Sequence, residues 1–128
     1  MIVFLHGFDS SSLEYRRLRP LLSSHRCYFL DIHGWGFGSY ADKEYGPEEK
    51  LEKARTFIRR VGNLEGVAVE DIVVAGASLG GAVAQELCLD LNLVGGLILL
   101  NSQSVSSLSS QHENFSMRTS LFIRPFAC

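Results

Sequence analysis

The sequence predicts an α/β protein: a three-layer sandwich in which a mostly parallel sheet of about four strands carries helices on both faces. Three observations predict it. Four short apolar runs, at residues 2–5, 27–30, 72–75 and 94–100, have the length and composition of buried strands. Helical patterns lie between them, so strand–helix units repeat three times before a final strand. That alternation calls for right-handed crossovers and a parallel sheet. Glycine-bearing turns follow the first three strands, at Gly7, at Gly34 and Gly36, and at Gly76 and Gly80.

Size and charge narrow the classes. A chain of 128 residues is enough for one domain with one core. Twelve basic residues against fourteen acidic ones, scattered along the chain, exclude an electrostatic footprint for nucleic acid. No run approaches the ~20 apolar residues of a membrane span. The opening Met1-Ile2-Val3-Phe4-Leu5 is too short for a signal peptide and lacks a basic lead. Cys27, Cys88 and Cys128 are odd in number and without CxxC spacing, which argues against a disulfide framework or a zinc site, and no metal is expected. A reducing compartment, such as the cytoplasm, is expected. Cys27 and Cys88 fall in apolar segments and read as buried small hydrophobes.

The first unit runs to residue 24. After the strand at 2–5, Gly7 permits an abrupt turn. The backbone N–H of Phe8 is then free to point into the crevice at the carboxyl end of the sheet, where ligands bind in open α/β folds. His6, directly at a strand end, reads as a buried hydrogen-bonding post that shapes the loop rather than as a catalytic group. Ser10, Ser11 and Ser12 offer N-caps for a helix carrying Leu13, Leu18, Leu21 and Leu22. Pro20 should begin a second helical piece or kink the first.

The second unit begins with the strand at 27–30, which ends on Asp31. The loop His33-Gly34-Trp35-Gly36-Phe37-Gly38-Ser39 follows. A dinucleotide-binding reading of these glycines fails: Ser39 stands where a third glycine is needed, and residues 40–45 read as more loop rather than as the required helix. No cofactor is expected. Gly46-Pro47-Glu48-Glu49 starts a helix, with proline at its first position and acids on the positive end of the dipole. Leu51, Ala54, Phe57, Ile58 and Val61 form its apolar face; Gly62-Asn63 should end it.

The third unit holds the candidate nucleophile. Asp71 leads into an apolar strand, and the strand into Gly76-Ala77-Ser78-Leu79-Gly80-Gly81. Val83, Ala84, Leu87, Cys88 and Leu91 then keep a helical period to about Asn92. Strand, G-x-S-x-G turn and helix make the context of a nucleophile elbow. Side chains at 76 and 80 would clash in so tight a turn. Ser78 is lifted above the sheet at a helix N-terminus, where backbone N–H groups meet developing negative charge. The last strand ends at Asn101-Ser102. Residues 102–110 hold six serines in nine positions, and residues 115–128 show Leu121, Phe122, Ile123 and Phe126 without a period. The expected organisation is a core over 1–101 and a serine-rich, poorly structured tail over 102–128.

Taken together, strand-His6-Gly7-Phe8, strand-Asp31-x-x-Gly34-x-Gly36 and strand-Gly76-x-Ser78-x-Gly80, in this order, resemble the α/β-hydrolase superfamily, in its single-domain members with HG and DxxGxGxS loops. The serine of that last loop comes one residue late here, at Ser39. The resemblance covers residues 2–101. It implies a partial α/β-hydrolase fold with spatial strand order second, first, third, fourth. It implies Ser78 as nucleophile of an acyl transfer on an ester, thioester or amide. It also implies the backbone N–H groups of Phe8 and Leu79 as the oxyanion hole, and His6, Gly7, Asp31, Gly34, Gly36, Gly76 and Gly80 as the structural motif residues. A serine at the elbow argues against the superfamily's epoxide hydrolases and haloalkane dehalogenases, which use aspartate there.

A serine nucleophile needs a base and a carboxylate to orient it, and the family order along the chain is Ser, then Asp or Glu, then His. After Ser78 the chain has only His112, in the serine-rich tail. Glu86 and Asp90 lie ~12–18 Å along the elbow helix from Ser78, at ~1.5 Å per residue, and Glu113 follows the histidine. His25 and His33 precede Ser78. The resemblance places the acid and histidine beyond this chain, which reads as a fragment of a serine hydrolase, weak or inactive by itself, whose parent takes a small acyl substrate. The alternative is a non-catalytic pseudo-hydrolase or interaction module on the same scaffold.

Overall fold

The computed structural model describes residues 1–38, 45–90 and 92–102. Strands β1 (Ile2–Leu5), β2 (Cys27–Leu30), β3 (Val73–Ala77) and β4 (Gly96–Leu100) form one parallel sheet in the order β2-β1-β3-β4. This is the predicted spatial order. Leu5 pairs with Leu30 on one side and with Gly76 on the other, so the carboxyl ends of β1, β2 and β3 lie level.

The two faces are built by alternation along the strands. Val3, Leu5 and Val74 point to one face and pack with Ala54 and Ile58 of α1 (Pro47–Glu65) and Ala84 and Leu87 of α2 (Leu79–Cys88). Phe4 and Ala75 point to the other and pack with Tyr15, Leu18 and Leu22. Burial on both faces explains why these strands are apolar at nearly every position. Both α-helices stand in one outer layer; the other outer layer is made by two 3-10 turns, Ser12–Tyr15 and Arg19–Leu22.

That second layer corrects the expected helix over 13–22. Pro20 stands second in the second piece, which starts at Arg19, and Ser11 caps the first by accepting the Leu13 N–H. The two short pieces never join into an α-helix because Pro20, lacking an N–H, interrupts the ladder.

Other boundaries shift as well. Helix α1 continues past Gly62, which is buried inside it, and ends at Gly66 in the left-handed conformation (φ 62°). A Cβ at 62 would lie 3.0 Å from Ile72 Cδ1, so Gly62 is small for packing and Gly66 for its backbone. Helix α2 stops at Cys88, short of the expected Asn92. Val94 is buried but precedes β4, which starts at Gly96. Cys88 is buried as expected, whereas Cys27 is only half-buried.

Beyond α2, Asp90 accepts ion pairs from Arg55 and Arg59 of α1 and ties the two helices together. No described helix is long and apolar enough to cross a membrane, and no cluster of metal-ligating side chains occurs among the described residues.

Candidate active site

The connection β1 to β2 runs through the 3-10 layer, and the connections through α1 and α2 run over the other face. The chain therefore departs to opposite faces at the carboxyl ends of β1 and β3, which are neighbours. Such a switch point opens a crevice between the two departing loops. The residues at these two departure points are those after β1 (His6, Gly7, Phe8) and after β3 (Ser78, Leu79).

Ser78 is the residue between β3 and α2. Its backbone has φ 48° and ψ −113°, a conformation that L-residues rarely hold. The elbow is over-determined by close backbone contacts. A Cβ at Gly76 would collide with the Gly80 carbonyl, and one at Gly80 with the carbonyls of Leu5 and His6. The amides of Gly81 and Ala82 donate to the Ser78 carbonyl, at 3.0 and 3.3 Å, and the Ser78 amide donates to Leu100 across β4. The Ser78 side chain is exposed and accepts no helix-capping hydrogen bond. Its hydroxyl thus stands at the start of α2 without serving the helix. Leu79 is the first residue of α2, a position whose N–H has no acceptor within the helix.

Across the crevice, the loop after β1 is pinned at each peptide. His6 is fully buried. Its Nε2 accepts the Ile32 N–H at 2.9 Å, which leaves Nδ1 as the protonated nitrogen, donating to the Gly7 carbonyl at 2.7 Å. The Gly7 N–H donates to Glu14 Oε2 at 2.8 Å. A Cβ built on Gly7 would sit 3.5 Å from Ser78 Cβ, so this loop lies directly against the elbow. Gly7 carbonyl and Phe8 N–H share one trans peptide plane and point in opposite directions. With the carbonyl turned to the buried imidazole, the Phe8 N–H faces away from it. The Phe8 ring is exposed and packs edge-on against Trp35, with centroids 5.4 Å apart; Trp35 in turn carries Lys50 Nζ over its ring at 4.9 Å.

Asp31 is the clamp between two loops. Its carboxylate accepts the Ser12 N–H through Oδ1 and the Phe37 N–H through Oδ2 at 2.8 Å. Burial pushes its pKa upward, but the hydrogen bonds from Ser12 and Phe37 outweigh that and hold it below the usual aspartate value. Gly34 and Gly36 adopt φ values of 91° and 62°. A Cβ at Gly36 would strike the Asp31 carboxylate at 2.5 Å, so the glycine lets the loop close over its own anchor. Beneath both loops, Tyr15 is buried with its hydroxyl donating to the Leu5 carbonyl at 2.7 Å. Burial and then nearby Glu14 push that phenol well above its ordinary pKa.

Of the expected motif residues, Gly7, Gly76 and Gly80 pack at the elbow and the end of β1, His6 joins the loops after β1 and β2, and Asp31 with Gly36 closes the loop after β2, where Gly34 packs against Tyr45. Among the described residues, neither His25 nor His33 joins Ser78. His25 is exposed, bonded to Ser24 Oγ, and precedes β2 at the opposite end of the sheet. His33 is buried and lines a pocket of about 170 Å³ with Asp31, Lys50, Lys53 and Ala54, on the α1 side. Asp90 is committed to Arg55 and Arg59. Ser39, His112 and Glu113 lie outside the described residues.

Two residues of the site escape sequence reasoning. Glu14 falls on the polar side of a weak helical pattern, and nothing in its spacing points to Gly7. Ser102 follows β4 and opens the predicted tail, yet its Oγ donates to the Ser78 carbonyl at 3.4 Å and takes the Gln85 amide at 3.2 Å.

Comparison with known proteins agrees with this fold. The model of the alpha/beta hydrolase family matches residues 2–127. The chain is 31% identical over 113 residues to the alpha/beta hydrolase domain-containing protein VTE7 of Arabidopsis thaliana, covering 82% of this chain and 31% of that one. Among solved structures it resembles a haloalkane dehalogenase loop variant from Bradyrhizobium elkanii (TM-score 0.65, 25% identity, 77% of this chain and 31% of that one). It also resembles a serine hydrolase of Cycloclasticus zankles (TM-score 0.64, 20% identity, 79% and 37%). The chain thus spans about a third of the length of these relatives. With a match along nearly its whole length, the chain belongs to the alpha/beta hydrolase family.

Proposed function

We propose that this chain carries the nucleophile and oxyanion half of a serine hydrolase that transfers an acyl group from a small ester, thioester or amide. The observation that carries the reading is Ser78 itself: a strained, exposed serine with an uncapped hydroxyl, set against the Gly7 loop. Strain of this kind costs about 1–3 kcal/mol and persists where surrounding structure enforces it, most often at functional sites. Ser78 Oγ attacks the acyl carbon, and its proton passes to a base. The carbonyl oxygen becomes an oxyanion received by the N–H groups of Phe8 and Leu79. Collapse of the tetrahedral intermediate expels the alcohol, thiol or amine and leaves an acyl-Ser78 for water to hydrolyse.

The base and its orienting carboxylate are not assembled at Ser78 by the described residues. This reading expects weak catalysis from the chain by itself. Even without a complete triad, an oxyanion hole and binding alone leave roughly 10³–10⁴-fold catalysis over water. Treatment of the folded chain with a fluorophosphonate tests the reading: mass spectrometry should place the adduct on Ser78, and Ser78→Ala should abolish it. A folded chain that stays unlabelled at Ser78 refutes it.

A second reading, a non-catalytic binding module on the same scaffold, is favoured by the committed positions of His6, His25, His33 and Asp90. It predicts no turnover of short acyl p-nitrophenyl esters and a stable monomer or specific complex.

A further inference from the structure

We infer that Glu14 is a positioning residue of the oxyanion hole: its carboxylate holds the His6–Gly7 peptide so that the next amide, that of Phe8, is presented to the crevice beside Ser78. The inference rests on the reading of Ser78 as nucleophile.

Gly7 has no side chain to restrict it, so the peptide planes on either side of it would otherwise rotate freely. Each plane is held by one bond. His6 Nδ1 takes the carbonyl of the Gly7–Phe8 plane at 2.7 Å, and Glu14 Oε2 takes the N–H of the His6–Gly7 plane at 2.8 Å. Only with both planes fixed is the direction of the Phe8 N–H determined. The Glu14 bond is charge-assisted and hence stronger than a neutral one.

Glu14 also acts from a rigid base. It belongs to the turn Ser12–Tyr15, whose start is tied to Asp31 through the Ser12 N–H and whose end is tied to the Leu5 carbonyl by the buried Tyr15 hydroxyl. Glu14 itself is exposed, so packing does not turn its carboxylate toward the loop; the Gly7 amide does. The point where a Gly7 Cβ would stand is 3.5 Å from Glu14 Oε2 and 3.5 Å from Ser78 Cβ. The acid and the serine thus both approach the open side of Gly7.

The test uses the full chain in four forms: wild type, Glu14→Gln, which keeps an acceptor oxygen, and Glu14→Ala and Glu14→Leu, which do not. Two readouts are taken, the second-order rate of fluorophosphonate labelling at Ser78 and the hydrogen exchange of the Gly7 amide by NMR. Labelling should fall about tenfold or more in Glu14→Ala and Glu14→Leu, the order of effect that small misplacements produce, and stay within about threefold of wild type in Glu14→Gln. Gly7 exchange should quicken in the first two and not in the third, at unchanged melting temperature. Wild-type labelling rates in Glu14→Ala overturn the inference, as does unchanged Gly7 exchange. Failure of both acceptor-less variants to fold also overturns it, since Glu14 would then serve the fold. If wild-type Ser78 does not label at all, the hydrolase reading falls, and Gly7 exchange still decides whether Glu14 holds the loop.

Discussion

His6 and Ile32 are joined by a buried hydrogen bond in which the imidazole accepts: the Ile32 N–H reaches Nε2 at 2.9 Å, 26 residues away in sequence. A backbone amide can only donate, so the bond dictates the tautomer and sends the ring's one proton to the Gly7 carbonyl. One side chain thereby ties the loop after β2 to the loop after β1 and fixes the Gly7–Phe8 peptide plane.

Loss of that ring should be felt in both stability and site. His6→Ala leaves the buried Ile32 N–H without its acceptor, for which about 1–3 kcal/mol is expected, together with a cavity. Urea denaturation should report the loss, and Ser78 labelling should slow in whatever fraction remains folded.

Strain at the elbow can be released by changing one residue. Ser78→Gly removes the Cβ that makes φ 48° unfavourable, while Ser78→Ala keeps it. Relief of about 1–3 kcal/mol of strain against the ~0.5–1 kcal/mol entropic handicap of glycine predicts a higher melting temperature for Ser78→Gly and little change for Ser78→Ala. Both variants lose labelling. Calorimetric scans of the three proteins check this.

Gly80→Ala should be among the most damaging small substitutions in the chain. Its methyl group would meet the main-chain carbonyls of Leu5 and His6, which cannot step aside as a flexible side chain can. Overpacking of this kind typically costs about 1–3 kcal/mol, and a rigid backbone obstacle puts the cost at the upper end. Gly66→Ala meets nothing within 4 Å, so only its φ of 62° opposes the change; ~1 kcal/mol is expected there. Comparing the two by denaturant unfolding separates steric from conformational cost.

Asp31 sets an acid limb. Its folded pKa lies below the unfolded one, because the amides of Ser12 and Phe37 overcome the upward push of burial. Its contribution to stability is therefore complete above the unfolded value of about 4 and is lost as pH falls through the lower folded value. Asp31→Asn turns an NH₂ group toward one of the two donor amides. The variant should be less stable than wild type at neutral pH and lose less stability below about pH 4, as measured by thermal unfolding across that range.

Much of this architecture was legible from local patterns. The strands at 2–5 and 27–30 have the predicted bounds, because apolar runs bounded by turn residues leave little choice. Pro47 marks the start of α1 because its fixed φ and missing N–H suit a first helical position. The G-x-S-x-G elbow was readable for a related reason: the glycines answer to contacts within a few residues of the turn and with the adjoining strand. The end of α1 was misplaced at Gly62, because a glycine needed for packing against Ile72 looks the same in sequence as one needed for a left-handed cap.

The sequence by itself determined that a parallel sheet carries a serine on a cramped turn, since those features follow from local sterics and hydrophobic period. Only the tertiary structure decided what surrounds that serine: the Glu14 carboxylate on the Gly7 amide, the imidazole of His6 between two loops, the Ser102 hydroxyl under the elbow, and the dispersal of His25, His33 and Asp90 to other tasks. The reason is that each of these contacts joins groups from different loops or elements. Their meeting is set by how the strands align and which face each crossover takes, and spacing along the chain holds no record of it.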